Sequence, residues 1–141
     1  MKKLLDILNE LNDDKKIFRA IDVLPECEKD FKNLSKRRFR TLPDDLKTFV
    51  DTALKSFHKL KIEQSGILSI SNLGIGYPLI YKVRSFACKS LKGKGSQSGI
   101  RITYAYYSED DHIEFIEIYF KQDKENEDRE RIKKYYFKKI K

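Results

Sequence analysis

The stretch IRITYAYYSEDDHIEFIEIYF, residues 100–120, decides the fold, because it holds two strand-like runs around a tight turn. In residues 100–107, isoleucine and tyrosine alternate with Arg101, Thr103, Ala105 and Tyr107. Strand side chains alternate between the two faces of a sheet, so one face here is apolar and the other carries the arginine. Ser-Glu-Asp-Asp is typical of a hairpin turn, and 113–120 supplies the second strand.

A third strand-like run, 79–86, comes earlier in the chain, after the Gly- and Ser-containing stretch 65–78. Its apolar side opposes a side that bears Lys82 and Arg84. If the three strands are neighbours with their apolar sides on helices, Lys82, Arg84 and Arg101 emerge together on the opposite, open face.

Two helices are predicted before these strands. Pro25 suits the first helical position, and Cys27, Phe31 and Leu34 then recur along one helical face. The second helix has Thr41 as a candidate cap and apolar residues at three- and four-residue steps through 57. A short turn joins the two, so we expect an antiparallel pair that covers one face of the sheet.

The two ends of the chain complete an α+β pattern. Residues 3–12 have the leucine spacing of an amphipathic helix, and 17–24 form an apolar, strand-like run. The C-terminal stretch 123–141 changes from acidic to basic in the direction that a helix dipole favours. We find no linker or internal repeat and therefore expect one domain, 1–141.

Composition restricts the kinds of partner. The net charge is +8, and residues 64–108 contain no Asp or Glu but six Lys or Arg, so this segment is the expected anion-binding surface. Apolar runs are short and no signal-peptide cleavage site follows the N-terminus, which predicts a cytoplasmic protein without a membrane span. Cys27 and Cys88 are expected to be reduced thiols, and His58 and His112 have no metal-ligand spacing.

The whole pattern resembles the RelE/ParE toxin superfamily. The resemblance rests mainly on KSLKGKGSQSGIRITYAYY, 89–107, the hairpin into IEIYFKQDKENED, 116–128, and the helical segment 27–57. It implies a RelE-like fold, in which a helical hairpin packs on one face of a mainly antiparallel twisted β-sheet. An extra N-terminal helix, 1–15, and a C-terminal helix would be added to it.

The resemblance also implies a function: the toxin of a type II toxin–antitoxin system, acting as an mRNA interferase. Such a metal-independent endoribonuclease, which needs no cofactor, uses Lys and Arg to assist attack of the 2′-hydroxyl on the scissile phosphate. Fixed cations suit this step because the transition state gains negative charge. The implied partners are ribosome-bound mRNA and an acidic cognate antitoxin, and the N-terminal helix could mediate homo-oligomers.

Matching positions within the family pattern suggest the site residues. Arg101 resembles the arginine that contacts the scissile phosphate. The other implied catalytic cations are Lys82, Arg84, Lys121 and Lys124, and the implied RNA-binding residues are Lys89, Lys92, Lys94 and Tyr119. Tyr119 would stack on a base or relay a proton.

Other interpretations stay open at the level of sequence. A ParE-type relative would inhibit DNA gyrase without nuclease chemistry, and a non-catalytic relative would only bind RNA or an antitoxin. Arg101 could be a surface strand arginine in cross-strand pairs, and Lys82 and Arg84 could keep an edge strand soluble. The loop lysines could be solvated charges, and the strand tyrosines could serve packing.

Overall fold

The computed structural model describes residues 2–91, 95 and 97–137. Its elements, in chain order, are α1 (Leu4–Lys15), β1 (Ala20–Val23), α2 (Pro25–Arg37), α3 (Leu42–Phe49), a π-helix (Val50–Lys59), β2 (Ile67–Ser69), β3 (Leu79–Val83), β4 (Ile100–Tyr107), β5 (His112–Phe120) and α4 (Arg129–Tyr136). The α+β class expected from the sequence is therefore confirmed.

The five strands form one mixed sheet in the order β1–β5–β4–β3–β2. β1 runs parallel to β5, and every other neighbouring pair is antiparallel. Ile100 pairs with Phe120 at the start of β4, and Lys82 of β3 pairs with Thr103. Lys82, Thr103 and Arg101 consequently share one face of the sheet, as the alternation predicted.

The opposite face packs on the helices. Tyr104 of β4 is fully buried, and its hydroxyl lies 2.7 Å from Nε2 of His58 in the π-helix. Phe31 of α2 and Phe115 of β5 are also buried in this core. Burying side chains of this size contributes roughly 2–3 kcal/mol each, so this layer is the main source of stability.

α1 belongs to the same layer. Leu4 and Leu8 are fully buried, and the carboxylate of Glu28 in α2 accepts the backbone N–H groups of Leu4 and Leu5, both at 2.8 Å. These two donors lack intrahelical partners, so Glu28 acts as the cap of α1. The apolar side of α1 is thus used inside the chain.

α4 packs on the face that carries Arg101. Its Ile132 is fully buried, and the hydroxyl of Tyr136 donates a hydrogen bond to Glu114 of β5. Glu114 pairs with Ala105, whose side chain is on the same face as Arg101. The face that the sequence predicted to be open is therefore partly covered.

Three elements differ most from the sequence prediction. The second helix continues as a π-helix after Phe49, which its apolar spacing of three- and four-residue steps does not reveal. β2 has only three residues, too few for alternation to be recognised. β3 ends at Val83 instead of Phe86, since Phe86 turns into the core, where its ring centroid lies 5.6 Å from that of Phe49.

None of the helices in the described part of the chain is both long and apolar enough to cross a bilayer.

Candidate nucleic-acid interface

Three strand ends meet at one end of the sheet, and each brings a cation. β3 ends just before Arg84, Arg101 is the second residue of β4, and Lys121 follows β5. The guanidinium of Arg101 donates a hydrogen bond to the carbonyl oxygen of Arg84 at 2.6 Å. The backbone N–H of Lys121 donates to the carbonyl oxygen of Gly99 at 2.8 Å. Antiparallel pairing brings these strand ends together. We call the region that holds Arg84, Arg101 and Lys121 the cationic end.

The loop after β3 adds Lys89 to the cationic end. Asp45 of α3 accepts the backbone N–H of Lys89 at 3.0 Å, and the hydroxyl groups of Thr41 and Ser90 are 2.7 Å apart. Asp45 is only 4% exposed, so its carboxylate anchors the loop from inside, and no carboxylate of the described residues pairs with the Lys89 ammonium. Thr41 is the N-cap residue of α3, as predicted, but its side chain bonds to this loop and to Asp45 and makes no capping hydrogen bond.

The connection between α2 and α3 brings further arginines that the site prediction did not include. Phe39 packs on Phe120 with ring centroids 5.1 Å apart, and Arg38 forms an ion pair with Asp123. Arg37 and Arg40 flank these contacts and are exposed. The basic run SKRRFR, 35–40, was the available signal, but only tertiary packing places it beside the end of β5.

The cationic end has an excess of positive charge. Among the described residues, its exposed or half-buried cations without a carboxylate partner are Arg37, Arg40, Arg84, Lys89, Arg101 and Lys121. A surface of unpaired guanidinium and ammonium groups attracts phosphates and releases their counterions on binding. This arrangement suits a polyanion better than a small apolar ligand.

Lys82 lies on the same face but in a different environment. Its ammonium is 2.8 Å from a carboxylate oxygen of Glu127, whose side chain is only 5% exposed. Burial alone would raise the pKa of Glu127, but the hydrogen bond and charge of Lys82 outweigh burial and lower the pKa below its usual value. Lys82 is thus neutralised by this chain's own carboxylate.

Lys124 is paired and Tyr119 is buried. The Lys124 ammonium pairs with the buried carboxylate of Glu117 and lies 5.5 Å from the centroid of the Tyr119 ring. Tyr119 is 5% exposed, and burial raises the pKa of its phenol. Its ring is therefore not available to stack on a base in this structure.

The structure thus places Arg84, Lys89, Arg101 and Lys121 at the cationic end. Lys82 and Lys124 are instead paired with buried carboxylates, and Tyr119 is buried beside them. The predicted RNA-binding residues Lys92 and Lys94 lie outside the described residues. Within the described part of the chain, no three His, Cys, Asp or Glu side chains converge in the way that a metal site requires.

Comparison with known proteins gives no relative: no family model, no curated protein and no solved structure matches this chain.

Proposed function

We propose that this chain is an RNA-binding toxin of the RelE/ParE type, with endoribonuclease activity at the cationic end. The observation that carries the proposal is the set of unpaired cations around Arg101 at one end of the sheet. Single-stranded RNA is the polyanion that such a surface can follow along its backbone.

The order of elements supports the finer assignment to a RelE-like fold. A leading strand precedes the helical pair, antiparallel strands follow, and a terminal helix ends the described chain. The helical pair packs on one face of the sheet, and the proposed catalytic cations project from the other face or from its end. Fold alone does not specify an activity, so the argument for RNA rests on the charges.

The proposed chemistry is attack of the RNA 2′-hydroxyl on the adjacent phosphorus. The new bond from the 2′-oxygen to phosphorus gives a 2′,3′-cyclic phosphate as the bond from phosphorus to the 5′-oxygen breaks. The 2′-hydroxyl gives up its proton to solvent, and the leaving 5′-oxygen takes up a proton from solvent. Arg101 is suited to contact the phosphate because its guanidinium is already oriented by the carbonyl of Arg84. A preoriented cation stabilises the extra negative charge of the transition state without a reorganisation cost. Arg84 and Lys121 add positive charge beside it, and Lys89 would contact the flanking backbone.

Binding without cutting is the second candidate, and one observation favours it. Lys82 and Lys124, which the nuclease proposal would use in catalysis, are each paired with a buried carboxylate. In this closed form the chain could hold RNA, or an acidic antitoxin segment, at the cationic end alone.

The partner proposed for the toxin is an acidic antitoxin, since a segment rich in carboxylates would neutralise the same cations. Ribosome-bound mRNA would be the target, in the cytoplasm. Self-association through α1 would require a surface other than Leu4 and Leu8, because these two are fully buried in the chain.

The experiment is to induce the protein in cells and map transcript ends. We expect new ends with the wild-type chain, and about a hundredfold fewer with Arg101→Ala, the usual order of loss for a transition-state contact. Arg19→Ala is the matched control, since it removes the same charge near the start of β1, far from the cationic end. Growth arrest with DNA-damage signalling and no new ends would instead support gyrase inhibition.

A further inference from the structure

The segment 121–128, here called the connector, links β5 to α4 and carries Glu127 into the corner that holds Lys82. We infer that Glu127 is an internal competitor of RNA, whose carboxylate occupies a second phosphate site around Lys82 until RNA displaces it. This inference rests on the function proposed above and adds both a subsite and a regulatory contact to it.

The corner around Lys82 and Glu127 provides the surroundings that an anion needs. Glu127 accepts a hydrogen bond from Lys82 at 2.8 Å and another from Arg129 at 3.1 Å, so two cations converge on one carboxylate. Its side chain is 5% exposed, whereas that of Lys82 is 20% exposed. Lys82 is directly opposite Thr103 in the sheet, and Arg101 is two residues from Thr103 along the same face. A nucleic-acid backbone on Arg101 therefore reaches this corner next.

Two buried hydroxyl groups in the same part of the sheet are an independent indication. The side-chain oxygen of Thr103 is buried without a hydrogen-bond partner in the described structure, and the buried phenol of Tyr119 has the Lys82 ammonium as its polar neighbour. Buried polar groups usually have partners, and those without one often mark a site that another molecule completes. A phosphate offers more acceptor oxygens than a carboxylate and could bind these hydroxyls as well.

The connector can open without unfolding α4 beyond its first turn, which Asp128 caps. It is held mainly by polar contacts: Glu127 with Lys82, the Asp128 N–H with Glu117 at 2.8 Å, and Asp123 with Arg38. α4 is held independently, because Ile132 is fully buried and Arg131 donates to the carbonyl oxygen of Ile116 at 2.8 Å. Segments with few buried apolar contacts are the ones that open locally.

The test measures the affinity of a short fluorescein-labelled single-stranded RNA for three purified chains: wild type, Glu127→Gln and Glu125→Gln. Glu125 is in the same connector, but its side chain is exposed and its carboxylate forms no ion pair in the described structure. Its substitution therefore removes the same charge without opening the corner. We expect Glu127→Gln to bind RNA about fivefold more tightly than Glu125→Gln, because the competing state is removed. Adding Lys82→Gln should abolish that difference.

A second measurement does not depend on any variant. The Asp128 amide proton is bonded to the buried Glu117 carboxylate, so its hydrogen exchange should be slow in the free protein. RNA should accelerate its exchange if the connector opens, while the amide of Tyr136 in the last turn of α4 should remain protected.

The outcomes separate the two proposals. RNA binding with equal affinities for the two glutamine variants, or with unchanged exchange at Asp128, overturns the competitor inference and leaves the RNA-binding function standing. Failure of every chain to bind RNA overturns both.

Discussion

His58 is the residue whose environment is least apparent from the sequence. It is 5% exposed and is surrounded by rings, with the ring centroid of Tyr106 at 4.1 Å and that of Phe57 at 4.8 Å. Burial and the nearby charge of Lys61 lower the pKa of His58 to about 4. The only sequence expectation for this residue concerned metal binding, because nothing in its spacing distinguishes an inward histidine from an exposed one.

This pKa predicts acid sensitivity. The unfolded chain takes up a proton at His58 near its usual pKa of about 6.5, while the folded chain resists protonation until about pH 4. Stability should therefore be full above the unfolded pKa and fall as the pH drops through this window, by about 3 kcal/mol. Urea unfolding of wild type at neutral and acidic pH measures this loss.

His58→Gln should remove most of that pH dependence, at the cost of a lower stability at neutral pH. His112→Gln is the matched control, since His112 is half-buried near the start of β5 and 2.7 Å from Asp22. An acid slope that is unchanged in His58→Gln would show that other groups cause it.

At the scale of elements, the strands with clear alternation were predictable and the exceptions have physical causes. β4 has the predicted bounds, and β5 begins one residue earlier than expected. The start of β4 depends on a feature that alternation does not reveal: Gly99 has φ +87°, and a Cβ there would lie 3.1 Å from the ring of Phe120. Only glycine adopts this conformation without strain.

Gly99→Ala should therefore destabilise the protein by about 1–3 kcal/mol, because it adds both backbone strain and a steric contact. Gly76→Ala is the control, since a Cβ at Gly76 meets nothing within 4 Å and its φ is not positive. Chemical denaturation of both variants measures the difference, and equal stabilities would contradict the proposed role of Gly99. The loss should be accompanied by weaker RNA binding, as Gly99 also accepts the N–H of Lys121.

For the whole molecule, about half of the candidate site could be predicted from the sequence. Alternation and the acid-free segment identified Arg84, Arg101 and Lys89, because these features act within one strand or loop. Arg37 and Arg40 could not be found in this way, since only the packing of α2 against β5 brings them to the cationic end. The closing of the Lys82 corner by Glu127 is likewise a contact between residues 45 positions apart.

The position of the charges leads to one expectation for the whole molecule: the cationic end binds RNA. The cationic end lies at the opposite end of the sheet from the charges of Lys15, Lys16 and Arg19. The nine residues of β5 separate the two groups by roughly 30 Å. That distance exceeds the screening length of about 8 Å at physiological salt. Replacing three cations at either end changes the net charge by the same amount, so the effects of the two replacements on RNA binding can be compared directly.

The most direct measurement is the salt dependence of RNA affinity for wild type and for two triple variants. One variant replaces Arg84, Arg101 and Lys121 with Gln, and the other replaces Lys15, Lys16 and Arg19 with Gln. For single-stranded RNA, each phosphate contact contributes about 0.7 to the slope of log affinity against log salt. We predict that the first variant lowers the magnitude of this slope by about 2, while the second stays close to wild type. Equal losses in both variants would contradict the account, because binding would then follow net charge and not the cationic end.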